Sequence, residues 1–262
     1  MTLSAQTVVS LDDPRVSTAF EPSPRSGPKH VELPFRVRIA RTEEQLRKAI
    51  EIRAEAYSRH LPALGEALRV TEGFDLTPDC LVILAESKID DLPVGTMRIQ
   101  TNFHAPLPME ESIRLPDKFR DRPLAAVSRL AVKAGHRGKM VKLALFKAMH
   151  RYCIAKQVEW VLIGARPPLE ETYLALDFID VFPDKQPRPL ATAKNLPHRI
   201  LAFEIATAER RWHEIDHPLY NFMINRFHPD IEIFNSVSNR WRQPRVSRPI
   251  LPDGPPLDAP IV

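Results

Sequence analysis

Apolar positions recur at every second residue in Phe35-Arg36-Val37-Arg38-Ile39, the spacing of a half-buried strand. The period then changes to a helical one. Thr42-Glu43-Glu44-Gln45 sets a hydroxyl and an amide three residues apart, the pattern of a capping box. Leu46, Ala49, Ile50 and Tyr57 follow on one face of a helix reaching about His60. Leu81–Glu86 and Val94–Thr101 read as the strands of an antiparallel hairpin, turning through Lys88-Ile89-Asp90-Asp91-Leu92-Pro93. Leu124–Val132 reads as a strand, followed by an amphipathic helix that opens at His136-Arg137-Gly138-Lys139 and runs to about Lys156. Val158–Gly164 predicts a strand, Leu169–Leu176 a short helix and Arg199–Ile205 a further strand. A last helical region covers Ala206–Phe227, broken near Pro218. A hairpin followed by strand–helix–strand crossing implies an α/β fold on a mixed sheet.

Proline marks the ends of this pattern. Of 26 prolines, five fall in residues 1–34 and six in 240–262, where apolar periodicity stops. Residues 1–33 and 239–262 are therefore expected to be flexible tails around a folded domain over 34–238. No apolar run approaches the length of a membrane span, and the N-terminus lacks a basic start followed by an apolar core. Cys80 and Cys153 form no CxxC pair and are expected to be core residues. These features point to a cytoplasmic protein with no bound cofactor.

Charge adds one feature. Between Arg122 and Val158 there are nine basic residues and no acid, while the rest of the chain carries 28 basic against 33 acidic residues. A concentrated basic segment suits an acidic partner. Nucleic acid is not that partner, since the segment has few aromatics and matches no helix-turn-helix or zinc-finger pattern. Lys139, Lys147 and Arg151 alternate with Val141, Leu145 and Met149, so they are expected to face outward along the helix. The helix start offers free N–H groups to a phosphate, but Met140 and Lys142 stand where close backbone approach would favour glycine.

The order of elements and these motifs resemble the GNAT-type N-acyltransferases. Arg137, Met140 and Lys142 occupy the places of that family's Gln/Arg-x-x-Gly-x-Gly/Ala motif, and Tyr173-Leu174-Ala175-Leu176-Asp177-Phe178 resembles its Tyr-x-x-x-Gly-Phe element. A closer resemblance is to the acyl-homoserine-lactone synthases and FeeM-type N-acyl amino acid synthases. It is carried by Arg53-x-x-x-Tyr57, by Asp75 and Asp79, by Gly95-Thr96-Met97-Arg98-Ile99-Gln100-Thr101 and by Val127-Ser128-Arg129-Leu130-Ala131-Val132. The amino acid synthases fit better, because the homoserine-lactone branch carries a Glu where this chain has Ala126.

The resemblance implies a mixed, mostly antiparallel sheet whose central strands splay, with helices on its faces. It implies transfer of a fatty acyl group from a phosphopantetheine thioester, on acyl carrier protein or coenzyme A, to an amino acid or related amine. Ser128, Arg129 and Tyr173 then hold catalytic positions, with Tyr173 protonating the departing thiolate. Leu130, Val132, Arg137, Gly138 and Lys142 would meet the donor, the backbone near Leu130–Val132 stabilising the oxyanion. Arg53, Tyr57, Asp75, Asp79 and Arg98 would form the acceptor side. The base stays open among Asp75, Asp79, Glu86 and water.

Several residues support two readings. Arg53 lies on an apolar helix face and must be paired or face a cavity; Asp75 and Asp79 are its candidate partners, an acceptor carboxylate the other. Arg98 and Arg129 sit mid-strand, where they either grip a carboxylate or close an internal salt bridge. Trp160 reads as core. His213-Glu214-Ile215-Asp216-His217 is a literal H-E-x-x-H, but Asp216 and Pro218 argue for a polar turn rather than a metal helix. Two other functions compete with acyl transfer: a non-catalytic module that binds acyl carriers or acidic ligands, and a zinc peptidase.

Overall fold

The computed structural model describes residues 30–135, 138–167 and 169–234. Arg137 and most of the two expected tails lie outside the described residues. Strand β1 (Phe35–Ile39) leads into helix α1 (Glu43–Ser58). The capping box forms as read: Gln45 N–H donates to Thr42 Oγ1 at 3.2 Å, and Gln45 Oε1 accepts from Thr42 N–H at 3.3 Å. A short helix α2 (Pro62–Ala67) packs back on α1, so closely that a Cβ on Gly65 would stand 2.1 Å from Ser58 Oγ.

Strands β2 (Cys80–Ser87) and β3 (Pro93–Thr101) form the hairpin, and β4 (Leu124–Val132) adds antiparallel to β3. Helix α3 (Gly138–Ala155) crosses to β5 (Trp160–Ala165), which pairs parallel with β4. Beyond α4 (Leu169–Leu174) come β6 (Ile179–Asp180), β7 (Arg188–Leu190), β8 (Leu196–Glu204), α5 (Ile205–Glu214) and β9 (Ile231–Glu232). The sheet order is β6-β8-β5-β4-β3-β2-β1-β9, with β7 on β8. Besides β4–β5, only β1–β9 is parallel among the named strands.

One face of the sheet packs on α3 and α5 through Met97, Ile99, Val127, Ile163, Leu201 and Trp212. Gly95 lets α3 lie close, since a Cβ there would come 2.5 Å from Val141 Cγ1. The other face packs on α1 and on the loops, through Val82 and Leu84 at one end and Ala126, Leu162 and Ile200 at the other. Leu33, at the end of the expected N-terminal tail, is buried in the core and donates its N–H to Asp230. The last helical region is shorter than its sequence predicts. Helix α5 ends at Glu214, and after Pro218 only one wide turn, Asn221–Asn225, follows.

Two features of β4 shape the middle of the sheet. Its pairing with β5 stops at Val127↔Ile163, although β4 runs on to Val132 and β5 to Ala165. From Ser128 onward the β5-facing edge of β4 is open, and the strands splay. On its other edge, Thr96 pairs with Ala131 and Arg98 with Ser128, so Arg129 and Leu130 together oppose Met97. That extra residue is a β-bulge, with Arg129 at φ 54°. An L-residue in this left-handed region costs roughly 1–2 kcal/mol, and such strain concentrates where a chain must aim a particular group.

Candidate active site

The bulge turns Arg129 into a cluster of charges on the α1 side of the opening. Glu72, in the loop before the turn Gly73–Leu76, closes on it: Arg129 Nε donates to Oε2 at 2.8 Å and Nη2 to Oε1 at 2.5 Å. Arg129 Nη2 also donates to the Thr192 carbonyl at 3.0 Å. Arg98, facing away from Met97 and Ile99, donates from Nη1 to Glu72 at 3.1 Å and from Nε to Ser128 Oγ at 3.1 Å. Arg53, 1% exposed, donates from Nη1 to both Asp75 oxygens at 2.9 and 2.7 Å. Arg98 Nη1 lies 3.5 Å from Asp75, which ties the pairs into one network.

Three guanidiniums meet two carboxylates here, leaving one formal positive charge. Arg53 Nε and Nη2 have no hydrogen-bond partner among the described residues. Burial pushes the Glu72 carboxyl up, but the hydrogen bond and charge of Arg129, with Arg98 and Arg53, hold it below the usual range. Burial lowers Arg98, and Glu72 opposes it; Arg129 is raised, its loss through burial outweighed by Glu72. Arg98 and Arg129 therefore stay charged at neutral pH. Both mid-strand arginines are thus in an internal ion-pair network, and the Nε–Nη2 edge of Arg129 is filled by Glu72.

Across the opening, Tyr173 sits on the α3 side. Its ring is 6% exposed and packs edge-on against Phe146 at 5.7 Å. Burial, and then the nearby Tyr57 hydroxyl, raise its phenol well above the ordinary value, so it stays protonated and is able to donate. Tyr57, Leu130 and Val132 are half-buried around the same gap. Gly138 opens α3, with Lys142 half-buried one turn on.

A family profile described as N-acyl amino acid synthase FeeM matches residues 48–202, which include all the residues named above at this opening. The chain belongs to that family. It is therefore an N-acyltransferase, and the splayed sheet is its GNAT fold. Among solved structures it is similar to FeeM, an N-acyl amino acid synthase from uncultured soil microbes, at 17% identity and TM-score 0.56 over 72% of this chain and 97% of that one. The coenzyme A-dependent acyl-homoserine lactone synthase BjaI gives 16% identity and TM-score 0.49 over 70% and 90%, and Escherichia coli ElaA 20% and 0.46 over 65% and 98%. No curated protein matches the chain.

Other residues of this acyltransferase lie elsewhere than the sequence suggests. Asp79 is not in the cluster; it holds His104, Nδ1 to Oδ1 at 2.6 Å and the backbone N–H to Oδ2 at 3.2 Å. Glu86 is locked between Arg38 Nε at 2.6 Å and Lys48 Nζ at 2.8 Å, and burial, which raises its carboxyl, is outweighed by those bonds. The outward face expected of α3 holds only in part. Lys147 is 3% exposed and donates to the carbonyls of Phe222 and Arg226, at 2.6 and 2.5 Å. Arg151 is half-buried and donates to the Ile231 carbonyl at 3.3 Å. Residues 219–231 lie across this part of the helix, and their free carbonyls draw the two cations inward. Lys139 remains exposed.

His213 and His217 do not share one helical face. Helix α5 ends at Glu214, Asp216 turns the chain at φ 47°, and His217 bonds the Ala175 carbonyl and the Leu219 N–H. Among the described residues no group of three or more His, Cys, Asp or Glu could hold a metal, and no helix is long and apolar enough to cross a membrane.

Glu72 escapes sequence reasoning because it lies in an irregular loop, without the periodicity that marks the strands. The signal was indirect: two arginines buried mid-strand require a second acid besides Asp75.

Proposed function

We propose that the enzyme moves a fatty acyl group from a phosphopantetheine thioester on acyl carrier protein to the α-amine of an amino acid. The observation that carries this reading is the opening between β4 and β5, flanked on one side by a charge network with a net positive charge. An extended pantetheine arm fits between two splayed strands, where it adds its own amide groups to the open edge of β4. The thioester carbonyl then lies beside the backbone at Leu130–Val132, whose N–H groups stabilise the developing oxyanion; one such donor can be worth about 3 kcal/mol.

The acceptor enters from the α1 side. The uncompensated guanidinium charge favours a molecule that brings an anion, and an amino acid brings a carboxylate next to its nucleophilic amine. Arg53, Arg98 and Arg129, fixed by Asp75 and Glu72, supply that field, with Ser128 and Tyr57 beside them. Positioning of the two substrates supplies much of the remaining acceleration. Tyr173, kept neutral by burial, donates a proton to the departing thiolate.

A carrier-bound donor suits the start of α3. Coenzyme A carries a pyrophosphate that needs close backbone approach, whereas the carrier's single phosphodiester can be met by the charge of Lys142 and Arg137. The free thiols of Cys80 and Cys153 fit a cytoplasmic setting. The test is incubation with acyl-carrier thioesters and with acyl-coenzyme A in a mixture of amino acids, read by mass spectrometry. N-acyl amino acids are expected, most from the carrier donor; products on amines without a carboxylate would overturn the acceptor assignment.

A further inference from the structure

Asp75 is spent on Arg53, Glu72 on Arg129 and Arg98, and Asp79 on His104, and Ala126 has no group to take a proton. The reaction still needs one. We propose that His198 is the general base that removes the proton from the acceptor amine, a proposal that rests on the acyl-transfer reading above.

Position is the first argument. Strand β8 pairs with β5 as far as Ala165↔Arg199, so His198 lies just past that last pair, at the end of β5 where the sheet is open. Its side chain projects to the same face as Ile200, two residues on, which packs in the cluster with Ala126 and Leu162. Arg98 and Ser128 face that side as well, opposite Met97 and Ile99. Gly164 leaves room for the ring: a Cβ there would come 3.3 Å from His198 Cβ and 3.4 Å from Cδ2. His198 is half-buried and not sealed in the core.

The tautomer is the second argument. Nδ1 lies 2.7 Å from the Leu196 carbonyl, which can only accept. Nδ1 therefore carries the hydrogen, and Nε2 presents a lone pair. Burial, with Arg166 and Arg129, keeps the imidazole below its ordinary value, against the pull of the Leu196 carbonyl. Arg188, opposite His198 in the β7–β8 register, is turned onto Asp184. The charges bearing on the ring are thus cationic, and at neutral pH it is the free base.

An amino acid arrives as an ammonium ion with three N–H protons. His198 Nε2 takes one and passes it to solvent, which frees the nitrogen lone pair. The nitrogen attacks the thioester carbonyl carbon and the carbon–sulfur bond breaks. A second proton ends on the departing thiolate, giving the thiol, and the third remains on the amide nitrogen. The balance is thioester plus ammonium to amide plus thiol plus one proton.

The test is kcat/KM for the acceptor between pH 5 and 8, for wild type and His198→Asn. Asn keeps a donor toward the Leu196 carbonyl but has no basic nitrogen. The expected result is a loss of about 10²-fold, an unchanged KM for the donor, and disappearance of an acid limb below pH 6.5 that only wild type shows. Added imidazole should restore part of the rate. The limb from the amine itself is common to both proteins and cancels in the ratio. A variant within threefold of wild type across the range overturns the assignment while leaving acyl transfer intact. Should the variant fail to fold, the wild-type profile decides alone: one without the extra limb overturns it. A wild type that forms no N-acyl product from any amine overturns both readings.

Discussion

Glu72 bridges Arg129 and Arg98, taking two bonds from the first and one from the second. It comes from an irregular loop, so a single carboxylate ties that loop to the middle of two central strands. Removing its charge leaves three buried guanidiniums facing Asp75 alone. Glu72→Gln should cost about 3 kcal/mol, the order expected when one partner of a buried pair is lost. The pH dependence has a defined sign. The folded carboxyl titrates below its unfolded value of about 4.3, so its contribution is complete above that value and disappears as pH falls through the lower, folded one. Urea unfolding from pH 6 to 3 should show a steeper acid loss for wild type than for Glu72→Gln. Parallel curves would mean that Glu72 contributes no net stability.

Arg129→Ala should remove activity out of proportion to stability. The substitution keeps the left-handed backbone strain while taking away both the charge and the clasp on Glu72. We expect kcat/KM to fall by about 10²-fold, with the protein still folded at 25 °C by near-UV circular dichroism. Turnover within a few-fold of wild type would make Arg129 a purely structural residue. Arg129→Lys discriminates further: it keeps the charge but not the two parallel hydrogen bonds, and is expected to recover little.

Much of this architecture was legible because the core strands alternate cleanly. The hairpin, β4 and α3 follow directly from period, and α1 from period and its capping box. The gap between β4 and β5 was legible only through the family resemblance, because Ser128–Val132 and Gly164–Ala165 are as strand-like as the residues before them; pairing alone distinguishes them. The bulge was hidden for the same reason, since Arg129 is no glycine and its φ leaves no mark in the sequence. Lys147 misled because a solvated face and a covered one have the same composition. What covers it, residues 219–228, is held by tertiary contacts and not by a periodic signal.

Buried histidines give the fold its own acid sensitivity. His150 and His228 are 3% and 1% exposed, and His150 Nε2 and both ring nitrogens of His228 lack partners among the described residues. Burial, with Lys147 nearby, lowers each to about 4. Below pH 6.5 the unfolded chain takes up a proton that the folded one refuses, so stability falls as pH drops toward 4. The slope is at most about 1.4 kcal/mol per pH unit for each histidine. His150→Phe, close in shape and packed beside Phe203 and Trp212, should flatten that slope without lowering stability at pH 7. An unchanged slope would show that His150 is protonated in the folded protein.

Donor docking is the last expectation, and the burial of Lys147 reshapes it. Acyl carrier proteins are acidic, and among the described residues the start of α3 presents Lys139, exposed, and Lys142, half-buried. Charges at the rim of an interface act mainly on encounter, and they are screened as the Debye length falls from about 10 Å at 0.1 M salt to about 3 Å at 1 M. The double variant Lys139→Glu/Lys142→Glu should therefore raise the KM for a carrier-bound donor several-fold at low salt. It should leave turnover at saturation nearly intact and weaken the salt dependence. Lys147→Glu serves as the contrast: it sets a carboxylate against the Phe222 and Arg226 carbonyls, so it should lower the melting temperature rather than the affinity for the carrier. Donor titrations at two salt concentrations, beside thermal melts of each variant, separate the two effects. Superimposable titrations for wild type and the double variant would place the docking surface elsewhere; a stronger effect on the coenzyme A thioester than on the carrier would make coenzyme A the donor that this helix serves.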